Sequence, residues 1–150
     1  MPKINTRRVV TGVDANGKAI ISYDDTIARY TGEHGLVDSA LIWTTDDYPI
    51  DYKDSRDMAD RTVPRGPEAR CTTFRIVDFH PGNPRDMHIT QSIDYAVVMS
   101  GEIDMEVDDG VKVHLEAGDV LVQRQTIHNW ENRGTEPCRI AFILIETGMK

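Results

Sequence analysis

Residues 102–116 switch between polar and apolar at almost every step. Glu102-Ile103-Asp104-Met105-Glu106-Val107-Asp108 runs through Asp109-Gly110 into Val111-Lys112-Val113-His114-Leu115. A period of two belongs to a strand, and Asp-Gly supplies the left-handed φ of a tight hairpin turn. The pattern predicts Ile103, Met105 and Val107 toward a core, with Glu102, Asp104, Glu106 and Asp108 toward water. Across the turn it predicts Val111, Val113 and Leu115 on the core side and His114 in solvent. Other strands fall in around this hairpin. Phe74–Phe79 ends at Pro81-Gly82, Tyr95–Ser100 leads into it, and Gly118-Asp119 turns the chain into Val120–Gln123. Cys138–Glu146 is almost continuously apolar, as expected of a strand covered on both faces. Short strands at turn-marked intervals, with no convincing amphipathic helix, predict an all-β sandwich or barrel.

The first half is less regular. Arg8–Thr11 and Ala19–Tyr23 flank Asn16-Gly17 and read as a second hairpin, and Ala40–Trp43 is one more apolar run. Residues 44–70 are polar and carry Pro49, Pro64 and Pro67, which predicts a long loop. The chain of 150 residues reads as a single domain, a barrel core at 71–150 with strands and loop at 1–70 packed on it or on a partner. Seventeen basic against 25 acidic side chains give a net charge of −8 with no basic run, which argues against nucleic-acid and membrane-surface partners. There is no apolar leader at the start, so a cytoplasmic protein is expected. Cys71 and Cys138 are too few and too far apart for a disulfide framework and read as small buried side chains.

The chemistry rests on few residues. His88, Thr90 and Asp94 stand in one segment, and His128, Trp130 and Asn132 share a parity in another. Two imidazoles and a carboxylate converging inside a barrel form a triad suited to Fe(II), with Zn(II), Mn(II) or Ni(II) also compatible. The same side chains in a metal-free pocket suit acid/base work, with Asp94, His128 and Thr90 as candidates. Arg124 could grip a substrate carboxylate, and Gln123 and Trp130 are further candidates for substrate contact. His80 and His34 lack partners at informative spacing. No nucleophile elbow, phosphate loop or Cys-x-x-Cys is present.

Gly82, His88, Asp94 and Gly101, followed by Gly118, His128 and Asn132, together resemble the two motifs of the cupin family. Thr90 stands where the first motif has its second His, and Asp94 where it has Glu. The second motif is one residue short, and Gln123-Arg124-Gln125-Thr126 replaces its Pro/Gly turn. The resemblance covers residues 74–146 and implies a double-stranded β-helix, or jelly-roll, barrel with an internal ligand pocket. It also implies a homodimer, in which amino-terminal strands within residues 1–23 join the partner's sheet. By position His88, Asp94 and His128 match the family's metal ligands. Three functions are compatible with it: a lyase or isomerase of dehydratase or decarboxylase type, an Fe(II) dioxygenase, and a non-catalytic small-molecule-binding module.

Overall fold

The computed structural model describes residues 6–27, 30–31, 35–46, 48–59 and 70–148. The strands are β1 (Thr6–Val13), β2 (Ala19–Ile27), β3 (Tyr30–Thr31), β4 (Val37–Thr45), β5 (Arg70–Phe79) and β6 (His88–Ile89). After them come β7 (Ile93–Ser100), β8 (Glu102–Glu106), β9 (Lys112–Glu116), β10 (Val120–Arg124), β11 (Ile127–Glu131) and β12 (Cys138–Thr147). A single 3-10 turn at Asp108–Gly110 is the one helical element among the described residues. Six strands form one sheet in the order β10-β7-β12-β5-β4-β3, and four form another in the order β6-β11-β8-β9. The pairings are antiparallel. This is the expected jelly-roll barrel, and β4 from the irregular half is built into its larger sheet.

The core lies between the sheets. Phe79, Ala96, Val98, Ile140 and Phe142 from the larger sheet meet Ile103, Leu115 and Trp130 from the smaller one. Trp130 and Phe142 pack edge to face with centroids 5.4 Å apart, a geometry aromatic rings favour. A second cluster, Ala40, Ile42 and Ile76 with Ile27, lies on the outer face of the larger sheet, where the β1–β2 hairpin covers it. Arg8 fastens that hairpin: it is 3% exposed and binds Asp25 and Asp57 while donating to the carbonyl of Ile42. Cys71 and Cys138 are buried thiols outside any disulfide, as expected. His34 and residues 61–69 of the expected loop, with Pro64 and Pro67, lie outside the described residues.

Two details depart from the alternation. Glu106 is 4% exposed rather than solvated, because Arg85 grips it with two bonds of 3.0 and 3.1 Å and Asn129 adds a third. On β9 only Leu115 is buried; Val113 and Val111 stay largely exposed because β9 is the edge of the smaller sheet. Tyr95 keeps to the alternation: it points away from the barrel and meets solvent on the outer face.

Candidate functional site in the barrel

Strand register brings the chosen residues together. His88 on β6 pairs directly with His128 on β11, and Asp94 on β7 pairs with Gln123 on β10. The two imidazole centroids are 4.5 Å apart. His88 Nδ1 lies 2.9 Å from the carbonyl of Asp86, and His128 Nδ1 lies 2.8 Å from that of Thr126. A carbonyl can only accept, so in each neutral ring the proton sits on Nδ1 and Nε2 keeps its lone pair. His128 is buried and His88 is exposed at the rim. Desolvation lowers the His128 pKa, outweighing the carbonyl of Thr126 that raises it, and the nearby His88 lowers it further.

Asp94 is held by three donors. Ser92 Oγ donates to Oδ1 at 2.5 Å, while Thr90 Oγ1 and Gln123 Nε2 donate to Oδ2 at 3.2 and 3.3 Å. Gln123 also donates to Thr90 Oγ1 at 2.8 Å, and its Oε1 accepts from the backbone N–H and hydroxyl of Thr126. Since Thr126 carries the carbonyl that orients His128, one buried amide joins the carboxylate to the imidazole.

A cavity of about 650 Å³ opens beside these groups. His88, Thr90, Asp94, His128 and Trp130 line it, with Phe79, Phe142 and Leu144 among its apolar walls. Gln123 is buried behind the wall. Arg124 is exposed at the end of β10 and does not line the cavity; Arg75 on β5 does, and sequence reasoning missed it. The inward parity of Arg75 with Val77 and Phe79 was the available signal.

Metal fit can be judged from the donors. His88 and His128 offer two Nε2 atoms, whereas Asp94 is already engaged by three donors. Among the described residues, the group of three potential ligands with donor atoms within 4.8 Å of one another is Glu102, His114 and Glu116, exposed on the outer side of β8 and β9. His114 there lies 2.7 Å from Asp104, whose hydrogen bond chiefly raises its pKa. The barrel therefore presents a two-imidazole pair beside a hydrogen-bonded carboxylate, and not a gathered three-ligand shell.

Residues 75–145 match the Cupin domain family, Cupin_2. Phomopsin biosynthesis cluster protein C′ of Diaporthe leptostromiformis is 36% identical over 155 residues, covering 97% of this chain and 81% of that protein. Cupin-domain-containing oxidoreductase fogC of Aspergillus ruber is 32% identical over 146 residues, covering 93% of this chain and 71% of that protein. The chain belongs to the cupin family. Its fold also matches a solved structure described as ethanolamine utilization protein Q from Salmonella typhimurium LT2. The TM-score there is 0.56 at 11% identity, over 97% of this chain and 99% of that one.

The cupin frame residues have physical work in this structure. Gly101 has φ +78° between β7 and β8, and a Cβ there would stand 2.6 Å from the carbonyl oxygen of Pro137. Asn132, 1% exposed, donates to the carbonyls of Phe79 and Glu136 and accepts from the N–H of Gly134, clasping the end of β5 to the turn that follows β11. Counting back from His128, Gln125 falls where the cupin turn has Gly, and it adopts φ +54°. The turn keeps the backbone that glycine would allow freely, with a side chain that makes it less favourable.

Proposed function

We propose that this cupin is an enzyme that moves a proton on a small oxygenated metabolite, a lyase or isomerase of dehydratase or decarboxylase type. The observation that carries this is His128: a buried imidazole, biased toward its neutral form, with Nδ1 tied to the backbone and Nε2 left as a base beside an apolar cavity. In this reading Nε2 takes a proton from a carbon beside a carbonyl, and the electron pair passes into the enolate. Return of the proton at another carbon completes an isomerisation, and loss of a leaving group completes an elimination. His88, 4.5 Å away at the rim, relays the proton toward solvent. Asp94, with Thr90 and Gln123, keeps the Thr126 turn and the His128 ring in place. The names of relatives as biosynthesis cluster proteins support a role in tailoring a small molecule.

The test is deuterium exchange in D2O at the carbon beside the carbonyl of a panel of oxo acids, followed by NMR. Wild type is expected to exchange at least one member, and His128→Ala to lose about 10²-fold or more. Undiminished exchange in His128→Ala refutes the reading. A second reading, an Fe(II)-dependent oxidation, draws on relatives named as oxidoreductases and on the two free Nε2 atoms. Metal analysis of protein purified without chelator or affinity nickel separates the two.

A further inference from the structure

We propose that Asn129 and Glu106 are positioning residues for the rim imidazole, holding His88 with its proton on Nδ1 so that its Nε2 stays a proton acceptor beside the cavity. The use of that nitrogen rests on the proton-transfer function just proposed; the hold on the ring does not. β6 is two residues long and the His88 side chain is 42% exposed, so packing cannot choose the tautomer of its ring. The carbonyl of Asp86, 2.9 Å from Nδ1, makes that choice, but only while it is itself held in place. The Asp86 side chain, 80% exposed, gives no anchorage. Its backbone N–H does: it donates to Asn129 Oδ1 at 2.9 Å, and on the other side the chain is fixed where His88 pairs with His128.

Asn129 can do this in one orientation. It is 1% exposed and stands directly opposite Glu106 in the β11–β8 pairing, with Nδ2 donating to Glu106 Oε2 at 3.2 Å. A backbone N–H can only donate and a carboxylate only accepts, so a flipped amide would lose both bonds. Arg85 grips the same carboxylate from the solvent side, and its hydrogen bonds hold the Glu106 pKa below the ordinary value and keep the group ionised. Glu106 therefore has a reason to leave the solvated face of β8: it sets the amide that sets Asp86.

The same chain of groups occurs twice. At His128 the order is Asp94 carboxylate, Gln123 amide, Thr126 N–H and Thr126 carbonyl, ending on Nδ1. At His88 it is Glu106 carboxylate, Asn129 amide, Asp86 N–H and Asp86 carbonyl, again ending on Nδ1. In each case the backbone link is the residue two before the imidazole. The carboxylates and amides come from different strands, β7 and β10 in one chain and β8 and β11 in the other, so no shared turn produces the likeness. What the two chains have in common is their product, two adjacent rings that both present Nε2 without a proton. A proton taken by His128 then meets an acceptor on His88, whereas the other tautomer would meet it with an N–H and block the relay.

Long-range proton–nitrogen NMR of protein with isotopically labelled histidines reads the tautomers without knowledge of the substrate. Five histidines are present, and His88→Ala and His128→Ala assign the two signals. At about pH 8, where imidazoles of ordinary pKa are neutral, wild type is expected to show both rings in the Nδ1–H form. Asn129→Leu is expected to turn the His88 pattern into a mixture with the Nε2–H form and to leave His128 unchanged. Glu106→Leu should do the same, and Glu106→Gln, whose carbonyl oxygen still accepts from Asn129, should preserve the wild-type pattern. Urea unfolding checks that each variant is folded; if Asn129→Leu is not, Glu106→Leu against Glu106→Gln decides. An Nε2–H ring at His88 in wild type, an unaltered His88 in Asn129→Leu, equal patterns in the two Glu106 variants, or equal changes at His88 and His128 overturns the proposal. In the deuterium-exchange assay Asn129→Leu is expected to lower the saturated rate about ten-fold or more with half-saturation little changed. Full exchange despite an altered His88 would overturn the use of its Nε2 in the relay. If no oxo acid exchanges with wild type while the tautomers respond as expected, the proton-transfer function fails and the hold on His88 stands.

Discussion

Gln123 is the residue on which the site's geometry can be tested most directly. Its amide orientation is dictated: Thr126 N–H can only donate, so Oε1 faces it at 2.6 Å and Nε2 faces Asp94 and Thr90. Gln123→Leu keeps the volume and removes these bonds. At the Thr126 end water can replace the amide, so the loss there is small. At the Asp94 end the side chains are buried, and a carboxylate loses one of its three donors, which costs about 1.5–3 kcal/mol, with the Thr90 bond adding about 1 kcal/mol. The expected destabilisation is about 3 kcal/mol at pH 7, a fall in Tm of roughly 6–12 °C for a chain of this size. Gln123→Leu within about 0.5 kcal/mol of wild type would refute the network.

Gln123→Glu adds a pH signature to the same experiment. The new carboxyl would be buried beside Asp94, so its folded pKa is raised above the ordinary value of about 4.3. The folded state then binds the proton first, and the deficit present near pH 7 is relieved as pH falls through the raised pKa. His128, which both proteins carry, acts in the opposite direction and does not contribute to the gap between them. Its pKa is lowered on folding, so the stability it contributes is complete above about 6.5 and is lost as pH falls through the folded value. Urea unfolding at pH 7.5 and 5.5 should show the gap between the two proteins narrowing on acidification. A gap that widens would contradict the placement of residue 123 against Asp94.

Other expectations follow from packing. Asn132→Ala leaves the buried Phe79 carbonyl, and the part-buried Glu136 carbonyl and Gly134 N–H, without their partner and should cost about 2 kcal/mol in urea unfolding, where a loss below about 0.5 kcal/mol would reject the clasp. Arg8→Met should cost about 2–4 kcal/mol, less than a fully buried pair because Asp25 and Asp57 remain 40% and 32% exposed; an unchanged Tm would show that Arg8 does not fasten the hairpin. Burial, with Glu146 adding at Cys71, raises both thiols to about 11, so alkylation at pH 7 should run on the order of 100-fold slower than for a free cysteine, and rapid labelling of the folded protein would contradict this. The outer face of β7 and β10 bares Tyr95, Val97, Met99, Val120 and Val122, roughly 500 Å² of apolar surface, large for a monomer and approaching one side of a stable interface. A second copy is the expected cover: light scattering should give a dimer that Val122→Glu dissociates, and a wild-type monomer at micromolar concentration would refute it.

The barrel was legible because turns and alternation are local. Asp109 and Gly110 both take positive φ, as the hairpin reading requires. The strand ending at Phe79 and the long apolar strand at 138–147 stand where enrichment placed them. Glu106 was misread because its partner Arg85 is 21 residues away, and no periodicity reports a partner across the fold. Arg124 attracted attention as the cation in the altered motif, yet Arg75 is the one facing the cavity, because strand parity and sheet register decide which way each points. The His88–His128 pairing likewise depends on the alignment of β6 with β11, which the motif spacing implied and the register makes concrete.

The departures from the cupin motif are not scattered. Thr90 replaces the second histidine, Asp94 the glutamate, and Gln123 and Thr126 belong to the segment that replaces the Pro/Gly turn, and these four side chains bind one another. Shortening Glu to Asp draws the carboxylate back toward β7, where Ser92 and Thr90 reach it. Replacing the imidazole at position 90 with a hydroxyl supplies a group that can donate to Asp94 while accepting from Gln123, which a metal-binding nitrogen could not do. The turn then contributes Thr126, whose N–H and hydroxyl hold the other end of the Gln123 amide and whose carbonyl sets the proton on His128. Together these four side chains form a continuous hydrogen-bond path from the carboxylate to the buried base. Thr90→His should therefore disrupt that path by removing the hydroxyl that donates to Asp94 and accepts from Gln123, and urea unfolding should show a loss of about 1–3 kcal/mol; an unchanged midpoint would show that the path does not run through Thr90.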